Sequence, residues 1–192
     1  MTEQELQSLI EEFHVPLHIR RHSEKVTEFA LELGKKLVEA GENIDLELLK
    51  QAASLHDIVR IVDFRNFNPQ NFKQEVTEKD LEVWEALRKK YSGMHHAIAA
   101  AQILRERGYE KIAQVVEKHR YLQIKDGFNT WEEKLLYYSD KRVKHDQIVP
   151  LEERLNDGRE RNAPETKNLK ETLETDQKVF ALESEIMAKI KR

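Results

Sequence analysis

Apolar residues recur at three- and four-residue steps along almost the whole chain, and no period-two alternation lasts long enough to make a strand. A chain so patterned buries its apolar surface through helix faces, so the expected fold class is all-α. Thr2-x-x-Glu5 reads as a capping box for a short first helix ending near Val15-Pro16. A second helix, Leu17 to Ala40, places His22, Val26, Phe29, Ala30, Leu33 and Leu37 on one face, and Gly41 stops it. A third starts near Asp45 and carries Leu48, Leu49, Ala52, Ala53 and Leu55 into His56-Asp57 and on to Val62. The stretch from Asp63 to Phe72 has no helical period and reads as a loop, a candidate lid.

Further helices follow. Thr77-x-x-Asp80 caps one bearing Leu81, Trp84, Leu87 and Tyr91, and the next runs from about Met94 to Arg107. A helix from Tyr109 aligns Ile112, Val115, Val116 and His119, and Thr130-x-x-Glu133 opens one bearing Leu135, Leu136, Tyr137, Asp140 and Val143. After a short segment from Ile148 to Leu155, a polar linker with Gly158 and Pro164 leads to a last helix with Leu169, Leu173, Val179, Phe180, Leu182, Ile186 and Ile190. That final stripe would pack on the core or form a homodimer contact.

Composition narrows the chemistry. The chain has no cysteine, which removes disulfides, thiolate metal sites and a cysteine nucleophile, while eight histidines leave imidazole and carboxylate chemistry open. A formal charge of -4 at pH 7 spreads both signs along the sequence and gives no general attraction for nucleic acid or anionic lipid. The start is acidic and polar, and no run approaches the roughly 18 apolar residues of a membrane span, so the expected location is cytoplasmic.

Against this background, His22, the His56-Asp57 pair, His119 and Asp140 lie on apolar stripes of four helices. Buried imidazoles and carboxylates are costly unless paired, protonated or metal-bound, and a metal cluster is a common explanation for several at once. Between neighbours His95 and His96, the stripe through Ala100 and Ile103 selects His96, with His95 the alternative. Taken singly, each of these residues could be an ordinary hydrogen-bonded core polar group. His18 reads as an outer neighbour of the site or solvent-facing, and His14 and His145 as surface residues.

The order His, His-Asp, His, His, Asp resembles the motif of HD-domain phosphohydrolases, and the local sequences HSEKVTEFALELGKKL, LLKQAASLHDIVR, HAIAAAQIL and EKLLYYSDKRV are similar to that family's segments from about residue 18 to 144. The resemblance implies an HD-domain helical bundle over residues 1–160 with a C-terminal helical extension over 161–192. It further implies that His22, His56, Asp57 and Asp140 form a shared ligand set, that His96 and His119 complete a second position, and that Asp57 bridges. One or two divalent ions (Fe, Mn, Zn, Ni, Co or Mg) would activate a water against a phosphate ester or anhydride of a nucleotide-like small molecule. Many relatives read HD-x-x-Lys where this chain has Arg60, which would either contact substrate phosphate beside the catalytic Asp57 or pair with Asp63. The chain also lacks the Gly-Tyr-Pro element of the cyclic-dinucleotide branch. A di-iron HD-fold oxygenase and a non-catalytic nucleotide-binding module are the alternative functions. Arg20, Arg21, Lys25, Lys141, Arg142 and Lys144 read equally as a solvated face or a phosphate funnel, and Phe64, Phe67 and Phe72 as loop anchors before base-stacking residues.

Overall fold

Capping and apolar spacing set the helices of the computed structural model, which describes residues 1–162 and 169–191. In α1 (Glu3–Glu12), Thr2 and Glu5 close the capping box in both directions. Helix α2 (Leu17–Glu39) ends before Gly41, whose φ of 93° is open to glycine without strain. Helix α3 (Leu46–Leu55) starts on the Asp45 carboxylate, which accepts from the Leu48 backbone N–H. Then come α4 (Glu78–Lys90), α5 (His96–Glu106), α6 (Glu110–Val116), α7 (Trp131–Asp140), α8 (Leu151–Asn162) and α9 (Leu169–Ile190).

Helix α2 forms the spine. It packs on α3, α7 and α9, while α3 also meets α6 and α7, and α5 lies against α6. The α2–α3 approach depends on Gly34, because a Cβ there would sit 2.9 Å from Leu46 Cδ2 and 3.1 Å from Leu49 Cδ2. Val26, Ala30, Leu37, Leu49, Ala52, Leu55, Leu104, Leu135 and Leu136 lie in one continuous core. Trp84 joins α4 to it, fully buried, and its indole N–H donates to the His14 carbonyl at 2.8 Å. No helix among the described residues is long and apolar enough to cross a membrane.

The structure departs from the periodic reading in four places. Helix α3 stops at Leu55 instead of running to Val62; residues 56–59 turn, and Arg60–Asp63 form a 3-10 turn. The run Ile58, Val59, Ile61, Val62 is β-branched and buried almost throughout, which disfavours an α-helix with a single inward face. Helix α6 likewise ends at Val116, and His119 closes a 3-10 turn, Glu117–His119. Val143 belongs not to α7 but to a two-stranded hairpin, β1 (Val143–Lys144) paired antiparallel with β2 (Gln147–Ile148). Strands of two residues are too short to leave a period-two signal. Finally, the segment expected as linker is the helix α8, with Gly158 inside it; Pro164 lies outside the described residues. Within α9 the face made by Thr175, Asp176, Val179, Leu182 and Ile186 is buried, whereas Leu169, Leu173 and Phe180 are exposed.

The aromatic loop packs locally. Phe72 lies 5.4 Å from Trp84 and 4.8 Å from His18, ring centre to ring centre, and Phe67 lies 6.3 Å from Trp84.

Candidate metal centre

Helix ends build the centre. Neighbouring residues on an α-helix point about 100° apart, so ending α3 at Leu55 lets His56 and Asp57 aim into the same space. His56 is the C-cap of α3, and its Nδ1 donates back to the Ala53 carbonyl at 2.7 Å. His119 repeats this device on Val116 at 2.6 Å. The last-turn carbonyls of a helix need partners, and a histidine placed there both supplies one and turns its other nitrogen outward from the helix.

His22, on the second turn of α2, donates through Nδ1 to the His145 carbonyl at 2.8 Å. His145 forms the hairpin tip at a φ of 57°, uncommon for a residue other than glycine, so the two-residue strands serve to hold that carbonyl over α2. His96 opens α5 and donates through Nδ1 to Asp63 Oδ2 at 2.7 Å. With all four Nδ1 atoms engaged as donors to oxygen, all four Nε2 atoms are left to face the interior of the cluster.

Those Nε2 atoms gather with two carboxylates into two groups, His22 with His56 and Asp140, and Asp57 with His96 and His119. In the first, Asp140 Oδ1 is 3.1 Å from His22 Nε2 and 3.8 Å from His56 Nε2. In the second, Asp57 Oδ1 is 3.1 Å from His96 Nε2 and 3.6 Å from His119 Nε2, and the two Nε2 atoms are 2.9 Å apart. Asp57 Oδ2 faces back toward His56 Nε2 at 3.8 Å, so its carboxylate lies between the groups. Ligands about 2.0–2.2 Å from an ion are separated by roughly 3 Å, the scale of these spacings.

The donor chemistry fits a cation. His56 Nε2 is fully buried and has no hydrogen-bond partner among the described residues, and burial pushes the His56 imidazole down to about 4. Burial also lowers His119. Burial would raise Asp57 and Asp140, yet His56 and His96 beside the first, and Lys141 and His22 beside the second, hold both carboxyls well below the usual range. For His22 and His96 burial acts downward, but Asp140 and Asp57 outweigh it and raise both imidazoles. The two buried carboxylates thus favour positive charge beside them, and a divalent ion would supply that charge from one point.

All six expected residues, His22, His56, Asp57, His96, His119 and Asp140, converge here. His95 lies outside these two groups: it is exposed, and its Nδ1 accepts from the Ala97 backbone N–H as the α5 N-cap, although with Asp63 and His96 it forms a third set whose candidate ligand atoms lie within 4.8 Å of one another. Arg60 stands at the rim, half-buried, with its guanidinium on Asp63, its Nε 3.9 Å from Asp57 Oδ2, and Phe64 beneath it at 5.4 Å. His18 is exposed and stacks on Phe64 at 6.2 Å.

Other expectations need correction. His14 is half-buried, not a surface residue, because its Nδ1 meets Asp80 Oδ1 at 2.5 Å. Lys141 is neither solvated nor part of a funnel: it is buried, with Nζ 2.5 Å from Asp140 Oδ2 and 3.1 Å from the His119 carbonyl. It occupies one Asp140 oxygen and leaves Oδ1 for the centre. Arg142 is also committed, donating to the Val149 carbonyl at 2.7 Å and to Glu183 at 3.0 Å. Lys141 went unrecognised because a lysine beside a ligand in sequence carries no periodic mark distinguishing it from a helix-end cation.

Searches of curated proteins and of solved structures gave no match. The family model for the HD domain matches residues 19–161, a span that contains all six clustered side chains, and the chain belongs to the HD-domain family of mostly metal-dependent hydrolases.

Proposed function

We propose that this chain is a metal-dependent phosphohydrolase acting on a phosphate ester or anhydride of a small, nucleotide-like molecule. The observation that carries the reading is the convergence of four Nε2 atoms and two carboxylates, with His56 Nε2 buried and without a hydrogen-bond partner among the described residues. His22, His56 and Asp140 would hold one divalent ion, His96 and His119 a second, and Asp57 would face both. When bound, such ions supply Lewis acidity that acidifies water near neutral pH and offsets charge on phosphoryl oxygens.

The remaining work falls to the protein's own groups. The four Nδ1 donors fix the ring planes, and Lys141 holds Asp140 with one oxygen turned inward. Arg60 lies one turn beyond Asp57 with its guanidinium partly exposed, within reach of a phosphate approaching the rim, where Asp63 would share it.

The test is turnover by the metal-loaded full chain against nucleoside monophosphates, dinucleoside polyphosphates, cyclic nucleotides and generic phosphate esters. The expected result is hydrolysis of at least one class that disappears in Asp57→Ala. Nucleotide binding without turnover across the panel, or wild-type turnover in Asp57→Ala, would overturn the reading.

A further inference from the structure

Three of the four clustered histidines are held from behind by neutral backbone carbonyls, those of Ala53, Val116 and His145. His96 differs. Its Nδ1 donates to the Asp63 carboxylate at 2.7 Å, and its backbone N–H donates to the same oxygen at 3.0 Å. One anionic oxygen therefore fixes both where α5 begins and how the first ring on it is turned. The other oxygen of Asp63 accepts from the Arg60 guanidinium. Arg60 Nη1 also lies 3.0 Å from His96 Nδ1, and since both nitrogens are donors, their meeting point is the carboxylate between them.

We propose that Asp63 is a positioning residue for His96 and sets the metal affinity of the group formed by Asp57, His96 and His119. The proposal rests on the metal-binding reading above. A carboxylate behind a ligating imidazole fixes its tautomer and raises its donor strength, and loss of such a partner costs about 10–100-fold in metal affinity or activity. A carbonyl holds a ring as firmly but adds no full charge. Among the four clustered imidazoles, His96 is thereby the one backed by a charged side chain, and Arg60, seated on that carboxylate, tempers its charge.

The experiment titrates Co2+ into the full-length chain and its Asp63→Asn variant, followed by calorimetry and by the visible cobalt spectrum. Asparagine keeps the shape and an acceptor oxygen but removes the charge. The expected result is two binding events in the wild type, one of which weakens about 10–100-fold in Asp63→Asn with a change in the cobalt bands while the other is unmoved. Unchanged affinity and spectrum in Asp63→Asn would overturn the proposal even if the melting temperature fell, because a residue that merely caps α5 affects stability alone. A wild-type chain that takes up no Co2+ would instead bring down the metal reading, and this proposal with it. A second measurement needs no variant: in the zinc-loaded wild type, the His96 Nδ1 proton should resonate farthest downfield of the four, and a position among the carbonyl-bonded rings would refute the assignment.

Discussion

Lys141→Met removes the buried cation beside Asp140 while keeping an apolar stem of similar reach. Lys141 Nζ touches Asp140 Oδ2 and the His119 carbonyl, and both side chains are about nine-tenths buried. Breaking one side of a buried ion pair costs about 3–5 kcal/mol; Asp140 keeps its contact with His22, so the lower end, about 3 kcal/mol, applies to the metal-free protein. For a chain of this size about 1 kcal/mol moves the melting temperature by roughly 2–4 °C, so the metal-free variant should melt about 6–12 °C lower. With an ion in place, Asp140 regains a positive partner, and the residual loss is about 1 kcal/mol for the undonated His119 carbonyl. Metal should therefore stabilise Lys141→Met more than the wild type. Thermal melts of chelator-treated and Mn2+-saturated protein measure the difference. Equal losses in both states, or no loss without metal, would refute the reasoning.

Gly34→Ala gains about 1 kcal/mol in helix propensity but crowds Leu46 and Leu49, an overpacking that costs about 1–3 kcal/mol, so denaturant melts should show a net loss of up to about 2 kcal/mol with metal content unchanged; a stabilised variant would mean that α2 and α3 separate freely. Burial would raise the Asp80 carboxyl, but the His14 and Thr77 hydrogen bonds dominate and lower it below 3.8, so its stabilising contribution is present above that value and lost as pH falls through the folded one. The deficit of Asp80→Asn, about 1 kcal/mol at neutral pH, should accordingly vanish in acid, and a deficit constant down to pH 2 would contradict the pairing. In Arg60→Ala, turnover should fall about 10–100-fold, the loss of a charged hydrogen bond, and less in Arg60→Lys, with metal content unchanged in both; equal turnover in all three proteins would leave Arg60 a partner of Asp63 only.

The sequence discloses the parts of this molecule that repeat and conceals those that occur once. The stripes through Val26, Ala30 and Leu37 or His96, Ala100 and Ile103 recur over several turns, so helix existence and phase are legible, including the choice of His96 over His95 as the inward ring. Helix ends are not. Ile58 to Val62 is apolar enough to continue α3, and the conversion to 3-10 turns after Leu55 depends on burial from every side, which is decided by tertiary packing. The groups that hold the ligands are hardest to read. Lys141 and Asp63 look like ordinary helix-end and loop charges until the fold brings Asp140 and His96 against them, and the hairpin that offers the His145 carbonyl to His22 is two residues to a strand.

The most direct test counts ions. Full-length protein purified without chelator, or equilibrated with Mn2+, Co2+ or Zn2+ and dialysed, should carry about one or two divalent ions per chain by elemental analysis. Asp57→Ala, confirmed as folded by circular dichroism, should lose that metal, because its carboxylate faces both groups. A wild-type chain with no bound metal, or an Asp57→Ala chain with its full complement, would contradict the metal centre.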